Sequence, residues 1–163
     1  KDQFSSGHVV TALGSMGTYM GLFCGLHGSH LKLTGIQIMP YSENIYDFAK
    51  NYYEDIKIAW ELTEDVSKND FHIETDYLYG GYNLPSEAVR NAIYTMGQNE
   101  AIVLDPCYTG KAFAGLLEMI KKGHIPQGET VIFIHTGGLP GIYTPTHRQA
   151  FEDELMDGVI LLP

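Results

Sequence analysis

The chain is poor in cysteine and in positive charge. Among its 163 residues there are two cysteines, and ten Lys and Arg stand against twenty Asp and Glu, a formal charge of −10. That balance excludes sequence-independent nucleic-acid binding, which needs clustered cations, and it repels an anionic membrane surface. No apolar run reaches the roughly 18 residues that span a bilayer, and no signal-peptide pattern opens the chain. Cys24 and Cys107 lie far apart and form no CxxC pair, so buried free thiols are expected rather than a disulfide. The seven histidines are scattered, without an HExxH or a close His/Cys set, and no metal site is predicted. A cytoplasmic enzyme is the default expectation. Lys1 stands first with no initiator Met, which reads as a processed or excised piece.

What is present is a globular composition, with 44% hydrophobic, 12% aromatic and 18% charged residues, enough for one domain with a real core. The run Val131-Ile132-Phe133-Ile134, followed by His135-Thr136-Gly137-Gly138, reads as a buried strand that delivers a hydroxyl and bare backbone to a site. Ligands of open α/β sheets bind at such carboxyl strand ends. A counterpart lies near the start, where Gly14-Ser15-Met16-Gly17-Thr18 follows the strand Val9 to Leu13 and opens a helix. Free N–H groups and the positive end of a helix dipole make that turn a phosphate cradle, although the same residues also suit an ordinary strand-helix turn.

Periodicity predicts a helix from Ser15 to about Gly28, with Gly17, Gly21 and Gly25 forming a bare face suited to close packing. It predicts a strand from Leu31 to Met39, ended by Pro40, and a long amphipathic helix from Asn44 to about Asp65. Phe71 to Tyr79 is β-like and leads into Gly80-Gly81-Tyr82-Asn83. Pro85 is expected in the first turn of a helix that continues from Ser86 to Gly97. A short strand Ala101 to Leu104 precedes Asp105-Pro106-Cys107-Tyr108-Thr109-Gly110-Lys111, and a helix from Thr109 to Lys122 ends at Gly123. Gln149 to Met156 is a last helix and Val159 to Leu162 an apolar end. This order predicts an α/β fold, a mainly parallel sheet flanked by helices. Tyr108, opening a helix at a strand end, suits stacking on a planar ligand or acid/base work. It equally suits packing over the sheet edge, with Thr109 as an N-cap, and Tyr82 invites the same two readings.

Four elements in order, the Gly14–Thr18 loop, Gly81-Tyr82-x-x-Pro85, Asp105-Pro-x-Tyr-x-Gly-Lys111 and His135-x-Gly-Gly138, resemble the C-terminal half of fold type II pyridoxal-phosphate enzymes. The resemblance is to the D-cysteine desulfhydrase and 1-aminocyclopropane-1-carboxylate deaminase group, from about Ser6 to Tyr143. It implies a large-domain portion over residues 1–143, a tail over 144–163, and pyridoxal 5'-phosphate as cofactor. It further implies a small amino-acid substrate and a homodimeric full-length parent. By the same resemblance Gly14, Ser15, Met16, Gly17 and Thr18 hold the phosphate, with Leu13 and Met16 replacing the family's usual Thr and Gly. Tyr108 stacks beside the pyridine, Tyr82 is the second active-site phenol, and Thr136 meets the ring nitrogen with Thr109 and Gly137 close by.

In the deaminases a Glu follows the stacking Tyr, whereas here Thr109 does. A neutral hydroxyl suits β-elimination of D-cysteine to pyruvate, ammonia and sulfide better than ring opening. The resemblance therefore favours the desulfhydrase, with the deaminase as the alternative. The family's Schiff-base lysine belongs to the half that is not in this sequence, so the chain is expected to be inactive alone. Lys111 reads as structural. Met16 and the missing lysine also admit a non-catalytic relic domain.

Overall fold

Alternation along the first strand decides the layering. In β1 (Gly7–Leu13) every residue is buried; Val9 and Leu13 enter one core cluster and Val10 and Ala12 the other. A strand with two buried faces belongs in the middle of a parallel sheet. The computed structural model describes residues 6–159 and places it there. The sheet has four strands in the order β3-β2-β1-β4, all parallel. β2 spans Leu31–Gln37, β3 is the two-residue Ile73–Glu74, and β4 spans Val131–Ile134. Gly7 pairs with Leu31, His8 with Val131 and Gly35 with Ile73.

Helices cover both faces. On one side lie α1 (Gly17–Leu26) and α2 (Ile45–Ala59), closing over Val9, Leu13, Leu33 and Ile73. On the other, α4 (Thr109–Lys121) sets Ala112, Leu116 and Met119 against Val10, Ile36 and Ile38. A third cluster joins α4 to α3 (Glu87–Glu100) and to α5 (Pro145–Leu155) through Ala114, Val89, Ile93 and Phe151. Asn44 starts α2 by accepting from the backbone N–H groups of Tyr46 and Asp47 at 3.0 and 3.3 Å, a cap that contributes about 1 kcal/mol.

The chain departs from expectation in several places. α2 stops at Ala59 rather than near Asp65, because Glu61 turns left-handed at φ 52°. Pro85 precedes α3 instead of entering its first turn, and Ser86 is the N-cap residue. No strand forms over Ala101–Leu104. Ala101 takes the left-handed C-cap of α3 (φ 56°), and Ile102 and Val103 are exposed, so alternation has no core to face. The glycine face of α1 is turned outward: an added Cβ at Gly21 or Gly25 meets nothing within 4 Å. Close packing was the expectation there, and the structure reverses it, since Tyr19 and Met20 carry the buried face. α5 begins earlier than expected, at Pro145. Cys107 is buried, while Cys24 is only half-buried. The apolar end expected over 159–162 lies, beyond Val159, outside the described residues. Among those residues no helix is long and apolar enough to cross a membrane.

Strand order locates the site. From β1 the chain steps outward through β2 to β3, then returns to place β4 on β1's other side. The connections therefore diverge between β1 and β4, and the crevice that such a switch leaves lies beyond the carboxyl ends of those two strands.

Candidate active site

Those two strand ends carry the loops singled out by sequence. Gly14, Ser15, Met16, Thr18, Tyr108 and Thr136 line one small cleft. The turn after β1 is built around Met16, which sits in the left-handed region (φ 74°, ψ −24°) at the N-cap of α1. Its side chain is 1% exposed and belongs to the core with Leu13, Tyr19 and Met20. The thioether thus anchors the turn from below and leaves the loop backbone bare. No side chain caps α1, so the first-turn N–H groups, which have no intrahelical acceptor, end free beside the exposed Ser15 and Thr18. An anion of phosphate type fits this cradle. Gly14 also lets the Tyr108 ring approach closely: a Cβ there would come within 3.3 Å of it, so the ring would have to shift by a few tenths of an ångström. The Gly14 carbonyl accepts the Tyr41 hydroxyl, which fixes the turn from the α2 side.

The turn before α4 is organised by Asp105, which is fully buried. One carboxylate oxygen accepts the N–H groups of Cys107 and Tyr108, both at 2.8 Å, and the other accepts the N–H of Thr109 at 2.7 Å. The Thr109 hydroxyl donates to the same carboxylate at 2.7 Å and accepts from the Asp105 N–H at 2.9 Å. Thr109 is therefore turned inward with its hydroxyl committed to Asp105, and it is not among the residues that line the cleft. It is not the cap either: Tyr108 holds the N-cap position, and the Asp105 carboxylate accepts the first N–H of the helix. The consequence is a rigid seat for Tyr108, whose ring lies against Gly14.

Tyr82 comes to the same place from the turn before α3. Its hydroxyl is 2.5 Å from that of Tyr108, with the rings edge to face at 5.9 Å. Tyr82 is 46% exposed, so the pair opens to solvent. The hydrogen bond with Tyr108, then burial, hold the Tyr82 phenol well above the usual range for tyrosine. At neutral pH it keeps its proton, and so acts as a donor or an acid rather than as a base. Burial, then the Asp105 carboxylate, push the Cys107 thiol up, which leaves it an unreactive thiol.

After β4, Thr136 faces the cleft, whereas the Gly137 N–H donates to His135 Nδ1 at 3.1 Å. The other imidazole nitrogen of His135 meets the Val103 carbonyl at 2.9 Å, which holds the two loops side by side. Gly137 thus acts through the shape of the turn. Lys111 is wholly buried and donates to the carbonyls of Leu78, at 3.0 Å, and Gly81. Burial lowers its pKa. Its role is structural, as its sequence context suggested.

Sequence reasoning missed Asp105 as organiser and His147 altogether. The first had a signal, since Asp four residues before a helical Thr is an Asx-type cap. The second had none, because a histidine early in an outer helix carries no periodic signature.

The chain is similar to several known proteins. The family described as "Pyridoxal-phosphate dependent enzyme" matches residues 2–137. A relative from Pyrococcus abyssi, described as a "Putative 1-aminocyclopropane-1-carboxylate deaminase", is 39% identical over 137 residues, covering 83% of this chain and 40% of its own. The D-cysteine desulfhydrase of Klebsiella pneumoniae is 34% identical over 143 residues, covering 83% of this chain and 41% of its own. A crystal structure of an ACC deaminase homologue superposes with a TM-score of 0.77 at 29% identity, over 98% of this chain and 46% of that one. The chain spans less than half the length of each.

Proposed function

Because the chain belongs to the pyridoxal-phosphate dependent enzyme family, we propose that it forms the large-domain part of a lyase that β-eliminates D-cysteine to pyruvate, ammonia and sulfide. The observation that supports this most is the meeting of four separated segments around one cleft: the Gly14–Thr18 turn, Tyr108, Thr136 and, through its hydroxyl, Tyr82. When bound, pyridoxal phosphate supplies an electron sink for the carbanion left at a substrate's α-carbon.

The chain's own residues do the rest. The free N–H groups opening α1, with the Ser15 and Thr18 hydroxyls, take the phosphate. Thr136 offers a neutral hydroxyl to the ring nitrogen. Tyr108, braced on Gly14 and Asp105, covers the ring. Tyr82 holds its proton at the phenol oxygen and presents it to the substrate's carboxylate or leaving thiolate. A lysine to carry the cofactor and move the α-proton is assigned to the remainder of the parent protein, as is its homodimeric assembly. The 163-residue chain is accordingly proposed to be inactive alone.

The choice of thiol elimination over ring opening rests on Thr109 and Thr136. No carboxylate side chain follows Tyr108 directly, so the pyridine nitrogen has no fixed anionic partner from that position. The relatives described as deaminases support the second reading, hydrolysis of 1-aminocyclopropane-1-carboxylate. Both substrates assayed on one preparation of the parent protein loaded with pyridoxal phosphate separate the two. Sulfide from D-cysteine, with little ammonia from the cyclopropane, is expected. The reverse overturns the thiol reading, and silence toward both leaves the relic domain.

A further inference from the structure

Helix α5 lies beyond the residues matched to the family, which end at 137, yet it is fastened to the site. Phe151 packs edge to face on Tyr94 of α3 at 6.0 Å, and Glu154 pairs with Arg90 and accepts the Tyr94 hydroxyl at 2.7 Å. This anchoring brings the first turn of α5 under residues 80–83. There His147, 1% exposed, sets Nε2 3.1 Å from the Asn83 side-chain oxygen. An amide oxygen only accepts, so Nε2 carries the proton. Nδ1 is then a buried acceptor with no partner among the described residues.

Asn83 itself stands in the left-handed region at φ 54°, directly after Tyr82 in the chain. A turn that opens with Gly80 and Gly81 has little stiffness of its own. It is gripped at one end by Lys111, through the carbonyls of Leu78 and Gly81, and at the other by His147. We propose that His147 is a positioning residue for the Tyr82 phenol: through Asn83 it fixes the turn that carries Tyr82 onto Tyr108. The functional meaning of this coupling rests on the cofactor reading above, but the coupling itself does not.

The test follows the tyrosine phenols of the 163-residue chain by carbon-13 NMR, with the Tyr82 signal assigned by Tyr82→Phe. In His147→Ala, shown by circular dichroism to be folded, Tyr82 is expected to titrate at least ~1 pH unit closer to the ordinary value of 10.0. His147→Gln, which keeps an N–H donor, is expected to restore most of the difference. A folded His147→Ala whose Tyr82 titrates as in the unaltered chain overturns the proposal. Should that variant not fold, Asn83→Gly removes the acceptor while tolerating the left-handed backbone, and its titration is read the same way. Pyridoxal phosphate binding, followed separately by the phosphorus-31 resonance, reports on the cofactor reading and leaves this readout untouched.

Discussion

Two helices begin at the cleft, and they begin in opposite ways. α4 starts with three backbone donors satisfied by the buried Asp105 carboxylate. α1 starts with none satisfied by a side chain, its cap position filled by a left-handed Met whose side chain points into the core. The capped start has no room for a ligand and holds one side chain, Tyr108, in one place. The open start sacrifices the stability of a cap and keeps its donors for something else. Both open onto one cleft, and the difference lies in the residues: a carboxylate inside the turn in one case, a bare backbone in the other.

The sharpest way to break this contrast is to uncap α4. Asp105→Ala leaves three N–H groups at a buried turn without acceptors, and a loss of about 3–5 kcal/mol is expected in urea unfolding. A loss below about 1 kcal/mol would show that the turn does not depend on the carboxylate. Met16→Gly tests the other start. Removing the buried thioether costs stability and relieving the left-handed strain returns part of it, for a net loss of about 1–3 kcal/mol. Phosphate affinity is expected to change little, because the side chain faces away from the cleft; a large loss of affinity would mean that the thioether shapes the cradle.

Ser15→Asp pushes α1 toward the condition of α4. An acceptor beside the open donors should stabilise the ligand-free chain by about 0.5–1 kcal/mol while weakening pyridoxal phosphate binding at least ~10-fold. Calorimetry with and without the cofactor reads both effects, and a variant that binds as before would remove the open helix end from the phosphate site.

The smallest effect is confined to acid. Burial, the largest influence, lowers the pKa of His147 below 6.5, with Lys111 and Arg90 acting in the same direction and the Asn83 contact and Asp105 against it. The unfolded chain then binds the proton first. Stability contributed by the neutral imidazole is complete above 6.5 and declines as pH falls through that value toward the lower folded one. The melting temperature of His147→Gln should lack this component. Parallel curves for the two proteins would place the acid sensitivity elsewhere.

Much of the architecture was legible before any coordinates. The apolar runs at Val9–Leu13 and Val131–Ile134 became neighbouring strands, and the glycine-bearing turns after them became the walls of the crevice, because alternating burial and strand-end glycines are local signals. Exposure was not legible. Gly17, Gly21 and Gly25 mark a bare face but not what lies opposite it. Ile102 and Val103 look like strand residues but have no neighbouring layer to bury them. Thr109 illustrates the same limit within the site, since the family resemblance set it beside the cofactor whereas its hydroxyl is bonded to Asp105. His147 depends wholly on how α5 docks on α3, which no window of sequence contains.

Asp105 also reaches across to the other loop. At Gly138, with φ 96°, an added Cβ would come within 2.7 Å of the Asp105 carboxyl group. Every other amino acid carries that carbon, so a replacement at 138 strains the backbone and forces the buried Asp105 carboxyl group to shift. The two positions constrain each other's mutational paths, although 33 residues of chain separate them. A pairwise mutational scan should find that position 138 opens to other residues more readily in backgrounds where the acid has already been exchanged for something smaller.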